Sequence, residues 1–477
     1  MGEAVVTGPA VDRCPSARAA LAISCAATLL VLVNFTAPVS TVQIIGAELA
    51  AGASEQTWML SSISVGLAAF LLVTGSLADA FGRKRIFVLG GALLGVVSAM
   101  CAMAPTALVF VLARVLQGGA GAALLATGLG LLGHVFPPGP ERARATGLWG
   151  AMVGGGITIG PVFSALLIKV AGWPLAYWII AALSSLVAVW AAMTLAESRG
   201  ERPRKLDLAG VVTFSGALSF LVAALTEGRG GWTRPHVLAF LAAALVLLVA
   251  FARAERKAAE PMLDLGLLKR RAFLAATVGA LVTGAAVIGF MTYVPIAAQQ
   301  VLGLSPLASA VLLGAWSGVS FVAAPQARRL IGRIEARDQI AAGLALCGIG
   351  QLALIGIGVQ SVWWQLVPGL VLAGAGSGIA NAALAGLAVQ SVPPNQVAMG
   401  SGANNTARYL GSSVGIALIA AVLAMAPSGG GPAEDFATGM AWAAIVSAVL
   451  SILGSVVVAS LRQRRTRTAE RAAAESA

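Results

Sequence analysis

Charged residues are scarce in this sequence. Only 10% of its 477 residues are Asp, Glu, Lys or Arg, whereas 58% are hydrophobic and the mean hydropathy is +0.89. Soluble domains carry about 25% charged residues. A soluble fold of this length could not keep so much apolar surface away from water, so we expect lipid to be the solvent for much of the chain.

Residues that commonly build catalytic or metal sites are also rare. The four cysteines are scattered without metal-ligand spacing, which favours packing roles. The two histidines, His134 and His236, are predicted at opposite membrane faces. That arrangement argues against an enzyme, which would need clustered acids, His or Cys near one interface. No metal site or cofactor is expected, and no ATP-binding motif is present, so energy would come from an ion gradient.

The net charge of +12 reflects topology, not nucleic-acid binding. Lys and Arg form short clusters between long charge-free stretches, without an aromatic-and-basic face. About 26 of the 31 basic residues lie at the termini or in one set of loops, whereas the opposite loops hold only Lys169, Arg229 and Arg234. By the positive-inside rule, both termini are predicted to be cytoplasmic. The excess of Arg over Lys, with abundant Ala and Gly, indicates a high-GC bacterial genome, and the plasma membrane of a bacterium is the expected location.

Fourteen apolar stretches are long enough to cross a bilayer, which needs about 20 residues. Backbone groups in lipid must bond within their own segment, so an all-α polytopic fold is predicted. The predicted spans are 19–43, 57–78, 86–104, 107–134, 145–169, 173–195, 208–226, 235–252, 272–299, 306–327, 339–359, 363–391, 400–425 and 436–461.

Two polar loops, at about 196–207 and 253–271, divide these spans. They bracket one helix pair and leave six helices on either side. The predicted parts are a tail at 1–17, a six-helix bundle at 18–195, a linker with two inserted helices at 196–271, a second bundle at 272–461 and a tail at 462–477. The protein is expected to act as a monomer in the lipid bilayer.

The loop after the second predicted span reads GSLADAFGRKR from position 75. Its glycines allow a tight turn and close helix approach, and its one acid lies at a helix end among three cations. A simple topology signal is one interpretation of such a basic loop, and a cytoplasmic gate is what a family resemblance of this spacing implies. The gate candidates are Gly75, Asp79, Gly82, Arg83 and Lys84.

The fourth predicted span carries Arg114, Gln117 and Gly118. An Arg inside a membrane helix is costly and marks a functional site that faces the bundle interior. The alternative is a structural Arg that binds backbone carbonyls. The fifth span carries Gly156, Gly160 and Pro161, where small residues allow close packing and the proline permits bending. Ordinary close packing is the alternative there.

These three motifs resemble those of the major facilitator superfamily. The first is similar to G-x-L-x-D-R-x-G-R-[KR], with Ala80 in place of the Arg after the acid. The others are similar to R-x-x-Q-G and to the antiporter motif G-x-x-x-G-P. Fourteen helices resemble the drug:proton antiporter family with fourteen spans, and the likeness covers about residues 18–461. It implies two six-helix bundles around a central cavity, alternating access, a contact of Asp79 with a helix start near Gly400, and coupling through Arg114.

The chain departs from this family in its first span. The family usually has an acid in a D-x-T pattern, whereas this chain has Asn34 followed by Phe and Thr36. Every Asp and Glu falls in a loop, a tail or a helix end. The expected buried charge is positive, at Arg114 and near the inner end of a helix at Arg408. A neutral or anionic amphiphile is therefore predicted to fit the cavity better than a cation.

Several polar residues within the spans are candidates to line a small-molecule pocket. Each could instead make an ordinary hydrogen bond between helices. The candidates are Asn34, Thr36, Tyr293, Gln299, Asn381, Asn404 and Arg408.

The predicted function is secondary active export of amphipathic small molecules, such as drugs or antibiotics, with proton coupling implied by the resemblance. One alternative is a facilitator or an importer of a specific metabolite. Another is a membrane sensor that does not transport.

Overall fold

The computed structural model describes residues 15–137, 140–198, 208–228, 231–257, 265–326, 334–392, 397–426 and 429–461. Regular structure within these ranges is helical throughout. Most of the predicted N-terminal tail and the whole predicted C-terminal tail lie outside the described residues.

Sixteen α-helices occur in the described ranges, joined by short 3-10 segments at Ala37–Ser40, Leu265–Lys269 and Trp363–Leu366 and by one π-helix at Thr283–Ile288. The α-helices are α1 Pro15–Thr36, α2 Val42–Glu48, α3 Ala53–Phe81, α4 Arg83–Ala102, α5 Ala107–Val135, α6 Pro140–Ala171, α7 Pro174–Thr194, α8 Leu208–Glu227, α9 Pro235–Lys257, α10 Arg271–Val282, α11 Gly289–Gln300, α12 Pro306–Gln326, α13 Ala336–Leu352, α14 Val367–Gln390, α15 Val397–Ala424 and α16 Pro432–Ser460.

Thirteen helical segments in the described ranges are long and apolar enough to cross a membrane, which confirms the prediction of a polytopic helical membrane protein. The segment predicted at 339–359 is instead α13, a helix of 17 residues. It spans about 25 Å, less than the bilayer core of about 30 Å. The chain turns after Leu352 and adopts a positive φ of 85° at Gly356. The apolar sequence continues beyond the end of the helix, and for that reason the sequence predicts a longer span here.

Together with α13, which packs antiparallel to α14 and α16, the thirteen spans alternate in direction, so the start of α1 and the end of α16 lie at the same side. We call that side the terminal face. Ser24 of α1 donates to the carbonyl of Gly128 near the end of α5, and Ser455 of α16 donates to the carbonyl of Ala341 near the start of α13. These contacts place four helix ends at the terminal face. The other side is called the opposite face.

The first span is one continuous helix in the sequence-based prediction but is broken in the structure. After α1 ends at Thr36, a 3-10 turn leads into the short helix α2. Pro38 has no backbone N–H, so the carbonyl of Asn34 cannot receive the helical bond that it would otherwise accept. The hydrophobic pattern continues through the break, and for that reason hydropathy alone does not locate it.

The ninth span contains the π-helical segment. Gln351 of α13 donates to the carbonyl of Ala286 within this segment at 2.8 Å, and its own amide oxygen accepts from Ser451 of α16 at 3.0 Å. A side chain at Gly284 or Gly289 would collide with the backbone of α15. The π segment is therefore held between α15 and a buried Gln.

The inserted helices α8 and α9 pack on each other, and α8 also packs on α3 and α15. Ser215 of α8 donates to the carbonyl of Ala69 at 2.8 Å, and Trp58 of α3 donates to the Glu227 carboxylate at 2.9 Å. Large apolar side chains such as Val96 and Val246 are more than half exposed on the outside of the helices. Such a surface fits contact with lipid, not water.

Candidate functional site

The loop at the terminal face turns at Gly82, whose φ of 111° suits glycine. By contrast, a side chain at Gly75 would point into open space. The side chain of Asp79 lies outside the described part of the structure, so its predicted contact with a helix start stays a prediction. That helix, α15, starts at Val397, and a side chain at Gly402 would contact Leu72 of α3. The start of α15 thus lies beside α3.

Residues that follow α7 cap the start of α4. The Glu197 carboxylate accepts from the backbone N–H of Lys84 at 3.1 Å and lies 3.6 Å from the Arg85 guanidinium. The Ser198 carbonyl accepts from the backbone N–H of Arg83 at 2.9 Å. A carboxylate at a helix N-terminus satisfies free N–H groups and interacts favourably with the helix dipole. The sequence does not predict this role of Glu197, because an acid in a basic loop does not reveal which helix it caps.

Arg114 of α5 is fully buried and binds the end of α1. Its guanidinium donates to the backbone carbonyl of Asn34 at 2.7 Å, to the Asn34 side-chain oxygen at 3.1 Å and to the carbonyl of Phe35 at 3.2 Å. These carbonyls end a helix that is broken at Pro38. A cation there supplies missing donors and lies near the negative end of the helix dipole. Arg114 therefore caps the broken helix.

Gln117 and Gly118 support this arrangement from the same helix. The Gln117 side-chain oxygen accepts from Arg114 at 3.1 Å, and its amide donates to Ser98 of α4 at 2.9 Å. Gly118 lies directly against Gly66 of α3, where a side chain would collide with backbone atoms. Gln117 thus orients Arg114, and Gly118 lets α3 and α5 cross closely.

The glycine-proline motif of α6 packs against the same break. Side chains at Gly156 or Gly160 would collide with α1, in the second case with Thr36. Thr36 donates to the carbonyl of Gly156 at 3.3 Å, and Ser40 donates to the carbonyl of Pro161 at 3.0 Å. Two of the predicted motifs and the Asn34–Thr36 pair therefore meet at one place, which we call the helix 1 junction: residues 34–41 with Arg114, Gly156, Gly160 and Pro161.

At the opposite face, the helix 1 junction is bonded to the second half of the chain. Gln299 of α11 donates to the carbonyl of Ser40 at 3.0 Å and to Ser309 of α12 at 2.9 Å. The Tyr293 hydroxyl donates to the carbonyl of Ile416 at 3.3 Å and lies 3.5 Å from the Thr57 hydroxyl of α3. The contacts of Gln299 with Ser40 and of Tyr293 with Thr57 join the two halves at this face.

The remaining candidates lie along α14 and α15. Asn404 is buried and donates to the carbonyl of Ala276 at 3.0 Å, which ties α15 to α10. Arg408 is half-buried; its guanidinium lies 3.5 Å from the Asn381 side-chain oxygen and also donates to Asn405. Arg408 and Asn381 thus form a second polar group, separate from the helix 1 junction.

Acidic residues are confined to helix ends in the described ranges. Each lies in the first or last turn of an α-helix or in a connecting segment: Glu48, Glu55, Asp79, Glu141, Glu197, Glu227, Glu255, Glu335, Asp338, Glu434 and Asp435. Nor do those ranges hold a group of three or more His, Cys, Asp or Glu that could bind a metal ion. The charges placed within the described spans, away from their ends, are the cations Arg114 and Arg408.

Comparison with known proteins agrees with the motifs. Residues 23–416 match the family model described as Major Facilitator Superfamily. The chain is 33% identical over 376 residues to the multidrug resistance protein Stp of Mycobacterium tuberculosis (strain CDC 1551 / Oshkosh), covering 79% of this chain and 70% of that protein. It is 31% identical over 426 residues to the probable actinorhodin transporter of Streptomyces coelicolor, covering 86% and 74%. It is 31% identical over 385 residues to the tetracenomycin C resistance and export protein of Streptomyces glaucescens, covering 79% and 70%.

Proposed function

The chain belongs to the major facilitator superfamily, and from that premise we propose that it exports amphipathic small molecules, such as drugs or antibiotics, by alternating access. Relatives named for multidrug resistance and for antibiotic export support this direction of transport. The observation that carries the proposal is the helix 1 junction, where an antiporter-type glycine-proline motif packs on a broken helix. Broken helices with exposed carbonyl ends are typical of transporter centres.

The contacts between the two halves at the opposite face would change during the transport cycle. Opening the opposite face requires the Gln299 to Ser40 hydrogen bond to break, together with the contact between the hydroxyls of Tyr293 and Thr57. A single hydrogen bond contributes about 1 kcal/mol net, so thermal motion can break and reform it. At the terminal face, Glu197 keeps the start of α4 in place while the bundles move relative to each other.

A neutral or anionic substrate is favoured over a cation. The described spans place two cations, Arg114 and Arg408, away from their ends, and every described acid lies at a helix end. A lipophilic cation would meet no counter-charge there, and an unpaired charge in a membrane interior is costly. Amphipathic molecules without positive charge avoid that cost.

A proton gradient is the proposed energy source, with no bound cofactor. The chain would act as a monomeric carrier, without enzymatic activity, in a bacterial plasma membrane. Clusters of Lys and Arg support the cytoplasmic placement of both termini. Since no described acid lies within a span, an Asp or Glu at a helix end, such as Asp79 or Glu227, is the first place to look for the proton-carrying group.

Transport by the purified protein in liposomes tests this proposal. A neutral fluorescent amphiphile is loaded on one side, and its flux is followed with and without an imposed pH gradient. Flux that is accelerated by the gradient supports proton-coupled transport. A flux that is the same with and without the gradient would indicate a facilitator. A flux no faster than in protein-free liposomes would refute transport of amphipathic small molecules by this protein.

Cells provide a second test that separates substrate classes. The protein is expressed in a strain that lacks its own exporters, and resistance to cationic dyes is compared with resistance to neutral and acidic antibiotics. We expect protection mainly against the second group. Strong and selective protection against dications would contradict the preference for neutral or anionic substrates while leaving export itself intact.

A further inference from the structure

Arg408 is isolated from other charges. It is the sole charged residue between Asp338 and Glu434 in the sequence. It lies well inside α15, about 16 Å along the helix axis from its first residue. No other charged side chain on α14 or α15 can compensate it.

The partners of Arg408 are neutral. Its guanidinium lies 3.5 Å from the amide oxygen of Asn381 on α14 and donates to the amide oxygen of Asn405 one turn earlier on α15. Within the described ranges it makes no ion pair with any carboxylate. Amide oxygens orient a guanidinium and solvate it, but they leave its positive charge uncompensated. Part of the side chain also stays accessible.

Arg408 lies where the two halves of the protein meet. The next residue, Tyr409, packs edge-to-face on Phe35 of α1, with ring centroids 5.8 Å apart. Phe35 adjoins Asn34 in the helix 1 junction. The other flanks of α14 are covered by α12, α13 and α10, so the side of α14 that carries Asn381 turns toward α15. The guanidinium therefore lies between an apolar aromatic contact and a polar amide pair.

We propose that Arg408 binds the carboxylate of an amphipathic organic anion, while Asn381 and Asn405 hold the guanidinium in position. A guanidinium can bind a carboxylate through two parallel hydrogen bonds, and this pairing is strong where water is scarce. The rings of Tyr409 and Phe35 are themselves buried, so the ligand would reach Arg408 at the accessible part of its side chain. This inference rests on the proposed export function and narrows its substrates to molecules with an acidic group.

Binding to the purified full-length protein tests the inference directly. The probes are dansyl-undecanoic acid and its methyl ester, which differ in charge but share their apolar body, and fluorescence titration measures their affinities. Arg408→Gln should weaken binding of the acid about 10- to 100-fold and change ester binding less than about 2-fold. Arg408→Lys, which keeps the charge but loses the fork geometry, should retain part of the affinity for the acid.

Asn381→Ala tests the positioning role. It should weaken acid binding less than Arg408→Gln does, and it should cause no further loss when combined with Arg408→Gln. Equal losses for the acid and the ester in Arg408→Gln, or no loss for either, would overturn the inference. A further loss for the acid in the double variant would show that Asn381 acts independently of Arg408.

A measurement on the wild-type protein covers the case in which Arg408→Gln does not fold. Phenylglyoxal modifies accessible arginines, and mass spectrometry reports the modification at Arg408. The acid should protect Arg408 and the ester should not; equal protection by both would overturn the inference. Liposome transport separates the two proposals. If Arg408-dependent binding occurs but neither probe is transported, export is refuted and the binding site stands.

Discussion

The guanidinium of Arg114 binds Asn34 twice, at the backbone carbonyl and at the side-chain oxygen, over distances of 2.7 and 3.1 Å. Related transporters are expected to carry an acid where this chain has Asn34. The buried cation therefore keeps its structural partner but has no counter-charge from it. Whether the helix 1 junction is neutral or positive depends on one functional group at position 34.

Asn34→Asp should increase export of lipophilic cations. The new carboxylate would lie within hydrogen-bond distance of Arg114 and cancel its charge, so the interior would repel a cation less. We expect resistance to a cationic dye to rise several-fold in an exporter-deficient strain. Asn34→Leu, which leaves the backbone carbonyl bonded to Arg114, serves as the uncharged control and should give no gain. Cation resistance at the wild-type level in Asn34→Asp would argue against this electrostatic account.

Gly160→Ala should impair the protein, whereas Gly155→Ala should not. A side chain at Gly160 would press on Thr36 and on the backbone of Val33, while one at Gly155 would make an ordinary contact with Leu29 at 3.6 Å. Overpacking costs about 1–3 kcal/mol, so Gly160→Ala should lower the melting temperature in detergent and slow transport. Equal behaviour of the two variants would mean that α1 can move away from α6 without cost.

Gly82→Ala should weaken the terminal-face loop, and Gly75→Ala is its matched control. Gly82 has a positive φ, and a side chain there would collide with the Glu197 carboxylate. Position 75 faces open space. Protease cleavage near α4 in the purified protein should become faster in Gly82→Ala. Glu197→Ala should reproduce the effect, because it removes the cap of α4; normal protease resistance in both variants would contradict this role.

Closing the opposite face with a reversible covalent cross-link should stop transport. Cysteines at positions 40 and 299, in a background without the native cysteines, can be joined by a short bifunctional thiol reagent because Gln299 reaches the carbonyl of Ser40. Cross-linking should abolish flux in liposomes, and reduction of the linker should restore it. Each single-cysteine variant, treated in the same way, is the control. Undiminished flux after complete cross-linking would show that this face does not need to open.

Much of the fold could be predicted because its physical cause is local. A bilayer requires long apolar helices, and these can be read from composition in windows of about 20 residues. The break near Pro38 and the early end of α13 were harder to predict, since the hydropathy there does not change. Local backbone geometry ends those helices: a missing N–H at Pro38 in one case, and in the other a turn that begins at Ala353 and continues through Gly356.

The candidate site shows a different limit. The sequence marks Arg114, Asn34 and Gly160 as special residues, but nothing in a single sequence says that they meet. Arg114 and Asn34 are 80 positions apart, and their hydrogen bonds depend on how α1 lies across α5. The contact of Glu197 with the start of α4 cannot be predicted for the same reason. The spacing of residues along a helix predicts which face of the helix packs against other helices. Which helix lies against that face is determined only by the packing of the whole bundle.

The bond that joins the halves at the opposite face ends on a main-chain oxygen. Gln299 recognises the carbonyl of Ser40, which every amino acid would supply at that position. Substitution at position 40 therefore keeps this acceptor as long as the helix stays broken, although it removes the separate hydrogen bond from the Ser40 hydroxyl to Pro161. The bond between the halves thus depends on the side chain of Gln299 and on the backbone near Pro38, and the Ser40 side chain serves the packing of α6 instead.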